Sequence, residues 1–103
     1  MDCLRNHDIK HFIAHFKGYE YPFLNGMCYW FAYLLHARFG GEIMYAPINN
    51  HFVLRLDNQL WDVRGDVTDL FPDVLIWKNY YKIDPQHFAR IVRDCIDKET
   101  QNS

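Results

Sequence analysis

The chain is 103 residues long, 50% hydrophobic, 23% charged and 17% aromatic, with a formal net charge of −2. That length suits one domain whose core needs no disulfide or metal staple, and it excludes a two-lobed enzyme with a cleft between domains. Scattered Lys and Arg exclude the basic face that nucleic acid requires, and the apolar fraction excludes a disordered chain.

In chain order, Asp8 to Lys17 reads as a helix with Ile9, Phe12, Ile13 and Phe16 on one face and Gly18 as its stop. His7, His11 and His15 recur on the opposite face. Pairs at this spacing can chelate a divalent ion, but Asp2 and Asp8 are not arranged as further ligands, so a solvated histidine face is the better reading. Neither a metal nor a cofactor is expected. Tyr19 to Gly26, with Pro22 and Asn25-Gly26, reads as a loop.

Cys28 to Arg38 is apolar or aromatic on every side and ends at Gly40-Gly41, the pattern of a helix in the middle of a domain. Trp30 and Phe31 are therefore expected in the core. Glu42 to Ala46 is a strand stopped by Pro47. In the next strand Phe52, Leu54 and Leu56 alternate with His51, Val53 and Arg55, the signature of a half-buried element. Asp57-Asn58 suits a tight hairpin, Leu60 to Arg64 is the return strand, and Gly65 ends it. Phe71 to Ile83 mixes loop with a short strand. Asp84-Pro85 starts a last helix that buries Phe88, Ile91, Val92 and Cys95.

The resulting order predicts an α+β domain over residues 1–98, a central buried helix on a small antiparallel sheet with flanking helices, followed by a polar tail at 99–103. The longest apolar stretch, Met27 to Leu35, is too short to span a membrane, and the N-terminal octet lacks a signal-peptide core. The three cysteines, Cys3, Cys28 and Cys95, are widely spaced with no CxxC pair, which fits reduced thiols in the cytoplasm. Cys3 and Cys95 read as structural. Trp61 and Trp77 are open between core and cleft lining.

Cys28 carries the most chemical information. It heads the central helix, where the helix dipole and free N–H groups favour thiolate over thiol and can hold an oxyanion. A thiol nucleophile needs a base, and the base needs a third group to fix its tautomer. His51, entering a strand after Ile48-Asn49-Asn50, suits the first role. With a turn at Asp57-Asn58, Val53 faces Asp62 and His51 faces Arg64, so His51 and Asp62 are diagonal neighbours within side-chain reach. Asp66 is the alternative carboxylate if the strand continues past Gly65.

Gly26-Met27-Cys28-Tyr29-Trp30-Phe31-Ala32 resembles the nucleophile segment of papain-like cysteine peptidases. Asn50-His51-Phe52-Val53 and Leu60-Trp61-Asp62-Val63 resemble the His strand and the acid-bearing strand of the wider superfamily, which includes compact NlpC/P60-type and transglutaminase-like hydrolases. The resemblance covers residues 20–66. It implies a minimal papain-like fold and thiol-dependent hydrolysis or acyl transfer at an amide or ester carbonyl, by a peptidase, amidase or deamidase. Cys28 would be the nucleophile, His51 the base and Asp62 its orienter, acting on a peptide, a protein or a small amide. Asn25 replaces the papain motif's cysteine, and the upstream oxyanion glutamine is absent; Asn25 or Tyr21 is left as the side-chain donor. The alternative is an inactive binding or inhibitory protein on the same scaffold, engaging a protein partner through exposed aromatics.

Overall fold

A computed structural model describes residues 2–24 and 27–93, with the side chains of all of these except 2–6 and Pro22. Helix α1, Asp2–Ala14, begins earlier than the apolar spacing predicts and ends before Lys17. Its last turns tighten, with Phe16 N donating to the Ile13 carbonyl at 2.9 Å and Gly18 turning the chain at φ +91°. Ile9 and Ile13 are buried, while His7, His11 and His15 face solvent.

The segment expected as a loop contains a one-turn helix, α2, at Tyr21–Leu24, leaving Asn25 and Gly26 outside the described residues. Phe23 of α2 meets Phe16 and Phe31 edge-on or tilted, with centroids 5.5 and 5.1 Å away, so aromatic packing holds a segment whose sequence signals a turn. Helix α3 spans Cys28–Phe39. It buries Phe31, Ala32 and Leu35 but leaves Tyr33 and Leu34 exposed, which corrects the expectation of a helix enclosed on all sides. One face of α3 lies on the sheet, and no second layer covers the other among the described residues.

Five antiparallel strands follow in the spatial order β4-β3-β2-β1-β5: β1 Glu42–Ala46, β2 His51–Leu56, β3 Gln59–Asp62, β4 Gly65–Asp66 and β5 Leu75–Ile76. The return strand thus stops at Asp62, and Gly65 opens a short strand rather than closing one. Asp57 and Asn58 both take positive φ, as a tight hairpin with the strands' own twist demands. The helical layer covers the sheet face bearing Leu54, Leu56 and Trp61, which pack with Ile9, Ile13, Phe31 and Leu35. Farther along, Tyr45 and Phe52 meet Trp77, Tyr80 and Ile91 from the C-terminal part of the chain.

The second face is not exposed, as alternation in β2 suggests. Met44, Ala46, Val53 and Leu60 are covered there by Val67 and Phe71, from the connection between β4 and β5. That connection folds back in a 3₁₀ turn at Thr68–Leu70, and a second at Trp77–Asn79 leads into α4, Tyr80–Ile83. Helix α5, Pro85–Ile91, is capped by Asp84, whose carboxylate accepts from His87 N at 3.1 Å. Trp61 is fully enclosed and Trp77 buried in the core. Cys95 and the 99–103 tail lie outside the described residues, as does the side chain of Cys3.

Candidate active site

Cys28 is the first residue of α3. Met27 precedes it without a side-chain cap, and the first α-helical bond is Phe31 N to the Met27 carbonyl at 3.2 Å. The amides of Cys28, Tyr29 and Trp30 therefore have no acceptor within their own helix, and they point from its positive end.

His51 is the first residue of β2 and follows Asn50, which sits at φ +49°. Register places the imidazole on the sheet face of Val53, opposite to the face that α3 covers. Cys28 comes from the helical layer. The two meet because His51 stands at the end of its strand, where no further backbone separates the layers. Both line one cavity of about 290 Å³, together with Tyr29, Asn50, Arg64 and Phe71. The Tyr45 hydroxyl donates to Asn50 Oδ1 at 2.7 Å and so fixes the residue beside His51.

The pairing Leu54 to Trp61, continued by one residue, sets Val53 opposite Asp62 and makes His51 and Asp62 diagonal neighbours. Their side chains close the gap: His51 Nε2 lies 2.9 Å from Asp62 Oδ2, with both residues buried. Asp62 also accepts from Arg64, through the backbone N at 2.7 Å, Nη2 at 2.6 Å and Nε at 3.1 Å. The Phe71 ring lies 5.3 Å from the imidazole centroid and 5.7 Å from the Arg64 guanidinium carbon, walling the pair from one side.

Burial alone would disfavour the His51 imidazolium. The Asp62 carboxylate and the hydrogen bond and charge of Cys28 outweigh burial and raise the pKa from 6.5 to about 9. Burial likewise opposes the Asp62 charge, but the hydrogen bonds from His51 and Arg64 prevail and hold its pKa below the usual carboxylate value. With Nε2 committed to Asp62, Nδ1 is the nitrogen left for the Cys28 thiol.

Asp66 does not join this group. Its carboxylate accepts from Gln59 Nε2 at 2.9 Å and from Thr68 N at 3.0 Å. Tyr21 is exposed and does not line the cavity. Asn25 lies outside the described residues. No three His, Cys, Asp or Glu side chains converge as metal ligands among the described residues. Sequence reasoning missed Arg64 and Phe71. Arg64 was findable, since it follows Asp62 by two positions, but Phe71 comes from a segment without periodicity and gave no signal.

A family model described as Phage YunG-like protein matches residues 7–102. No curated protein and no solved structure matches the chain.

Proposed function

The chain belongs to the Phage YunG-like family, and we propose that it is a thiol-dependent hydrolase or acyltransferase acting on an amide or ester bond. The observation that supports this reading is a single imidazole bonded to a buried carboxylate and lining one cavity with a helix-heading cysteine. A helix-borne thiol set against an antiparallel sheet, with Cys, His and Asp in that chain order, also fits a minimal papain-like fold. Reduced thiol chemistry suits a cytoplasmic protein, and no helix among the described residues is long and apolar enough to cross a membrane.

In this mechanism the Cys28 proton resides on His51. The thiolate attacks the carbonyl carbon, and the oxyanion accepts from the Cys28 backbone N–H at the uncapped helix end. His51 gives its proton to the departing amine or alcohol, leaving a thioester on Cys28. An incoming water or second nucleophile loses a proton to His51 as it attacks the thioester; the C–S bond breaks, the acyl group leaves on the incoming nucleophile, and the Cys28 thiolate is restored beside protonated His51. Asp62 holds the ring with Nδ1 toward the sulfur and stabilises the imidazolium, and Arg64 holds Asp62.

The test is alkylation by an electrophilic thiol probe, read peptide by peptide because Cys3 and Cys95 also carry sulfur. Labelling concentrated at Cys28, lost in Cys28→Ala and slowed in His51→Ala, is the expected result. Equal total labelling of wild type and Cys28→Ala would remove the nucleophile.

A further inference from the structure

Arg64 has a second face that the Asp62 ion pair does not use. Nε and Nη2 engage the carboxylate side-on. Nη1 makes no hydrogen bond among the described residues, and the side chain remains 40% exposed. A guanidinium bound side-on keeps an end-on fork, the outer hydrogens of Nη1 and Nη2, which matches a second carboxylate in geometry and charge. Arg64 lines the same cavity as Cys28 and His51. Asp62 and Phe71 hold the guanidinium from two sides, so the fork is fixed in place before any ligand arrives.

The rest of the wall agrees in sign. The cavity is lined by Leu24, Asn49 and Phe52 besides the residues already described, and no carboxylate is among them. The Asp62 oxygens are turned to His51 and Arg64. The Tyr29 hydroxyl, which burial and the neighbouring Tyr33 raise above an already high ordinary pKa, brings no charge to that wall at neutral pH. A neutral substrate would leave the outer donors of Arg64 without a fixed partner, whereas an anionic one would pair with them.

We propose that Arg64 is a specificity-determining residue whose free end-on edge binds a carboxylate of the substrate, so that the preferred substrates are amides or esters with an acidic group close to the scissile carbonyl. This rests on Cys28 being the nucleophile. A peptide bond next to a free C-terminus or an acidic residue has the required chemistry. The anion would orient the carbonyl between Cys28 and the first-turn amides of α3, and it would leave Asp62 paired with His51.

Matched alkylating agents test the idea without a known substrate, since in each the Cys28 thiolate displaces a halide and forms one S–C bond. Two pairs differ only in charge: iodoacetate with iodoacetamide, and the longer N-bromoacetylglycine with its amide. In wild type the anion-to-amide rate ratio at Cys28 should exceed that of glutathione by roughly tenfold in at least one pair, a modest charge-assisted contact. Arg64→Gln should remove most of that preference, and Arg64→Lys should keep part of it. The ratio is internal to each variant, so any general loss of Cys28 reactivity on disturbing Asp62 cancels. Ratios equal to glutathione in wild type, or unchanged in Arg64→Gln, overturn the proposal while leaving Cys28 as nucleophile. Absence of preferential Cys28 labelling by all four agents removes the catalytic reading and this one with it.

Discussion

His51 Nε2 and Asp62 Oδ2 stand 2.9 Å apart on opposite arms of one hairpin, two strand positions out of direct register and so on the same face. A diagonal pair reaches this distance only if the turn sets the register, because a slip of one residue would send Asp62 to the other face of the sheet. Asp57 and Asn58, both at positive φ, are that control. The hairpin therefore acts as the orienting device of the site, and its turn chemistry sits well away from the chemistry it aligns.

Asp62→Ala and Asp66→Ala should separate cleanly. Without Asp62 the imidazole loses its tautomer control and its buried counter-charge, so the rate of thioester formation should fall by about two orders of magnitude or more. Among the described residues Asp66 bonds only Gln59 and Thr68, so its removal should leave the rate within about a factor of two and cost of order 1 kcal/mol of stability. Single-turnover rates and thermal melts check both; equal activities would detach Asp62 from His51 function.

The protonation of His51 gives a pH signature. Its folded pKa of about 9 exceeds the ordinary 6.5, so protonated His51 contributes stability in full below 6.5, and this contribution is lost as pH rises through about 9. The same rise removes the proton that the leaving group needs, so activity should decline across that range. Asp62 has the opposite sign: its contribution is present above its unfolded value and is lost as pH falls through its depressed folded value. Urea melts from pH 5 to 10, with matched rates, should show the loss above 6.5 in wild type and lack it in His51→Gln.

Cys28 and His51 share part of that shift, because the sulfur contributes both a hydrogen bond and a charge to the imidazolium. Cys28→Ala should accordingly lower the His51 midpoint from about 9, because burial then acts against the Asp62 carboxylate alone. NMR titration of the ring protons reads this directly. A midpoint unmoved by the substitution would mean that the thiol and the imidazole do not share a proton.

The hairpin and the His51–Asp62 diagonal could be read from sequence because each rests on local rules: strand alternation, and two turn residues that tolerate positive φ. Cys28 at a helix head was equally local. What escaped was non-local. Nothing in Thr68 to Phe71 says that it folds back over the second sheet face, so β2 reads as half-buried although Val53 is enclosed. The exposed side of α3 was missed for a related reason: its apolar residues outnumber the partners that a chain of this length can supply. The α2 turn depends on Phe23 finding Phe16 and Phe31, contacts that no window around Pro22 contains.

Gly41 is fixed by close approach. It lies at φ +83°, and a Cβ there would stand 2.5 Å from the Arg55 carbonyl oxygen on the neighbouring strand. Gly41→Ala adds left-handed strain to a backbone clash, so β1 must move away from β2 at its first pair, Glu42 with Arg55. A loss of about 2 kcal/mol or more is expected in chemical denaturation. Gly40, also at positive φ but with open space around it, should lose less on the same substitution.

Phe71 separates packing from orientation. Its ring is buried among Met44, Ala46, Val53 and Leu60, and it also flanks His51 and the Arg64 guanidinium. Phe71→Ala should cost about 3–4 kcal/mol, for lost burial and the cavity left behind, and would open the wall beside the imidazole to water. Phe71→Leu preserves most of the volume but not the flat face, so it should cost about 1–1.5 kcal/mol. Both variants, measured well below their melting temperatures, should show slower Cys28 alkylation than wild type, because water at the imidazole weakens its bond to Asp62. If Phe71→Leu loses stability yet alkylates at the wild-type rate, the ring serves the core alone and His51 is held by Asp62 without it.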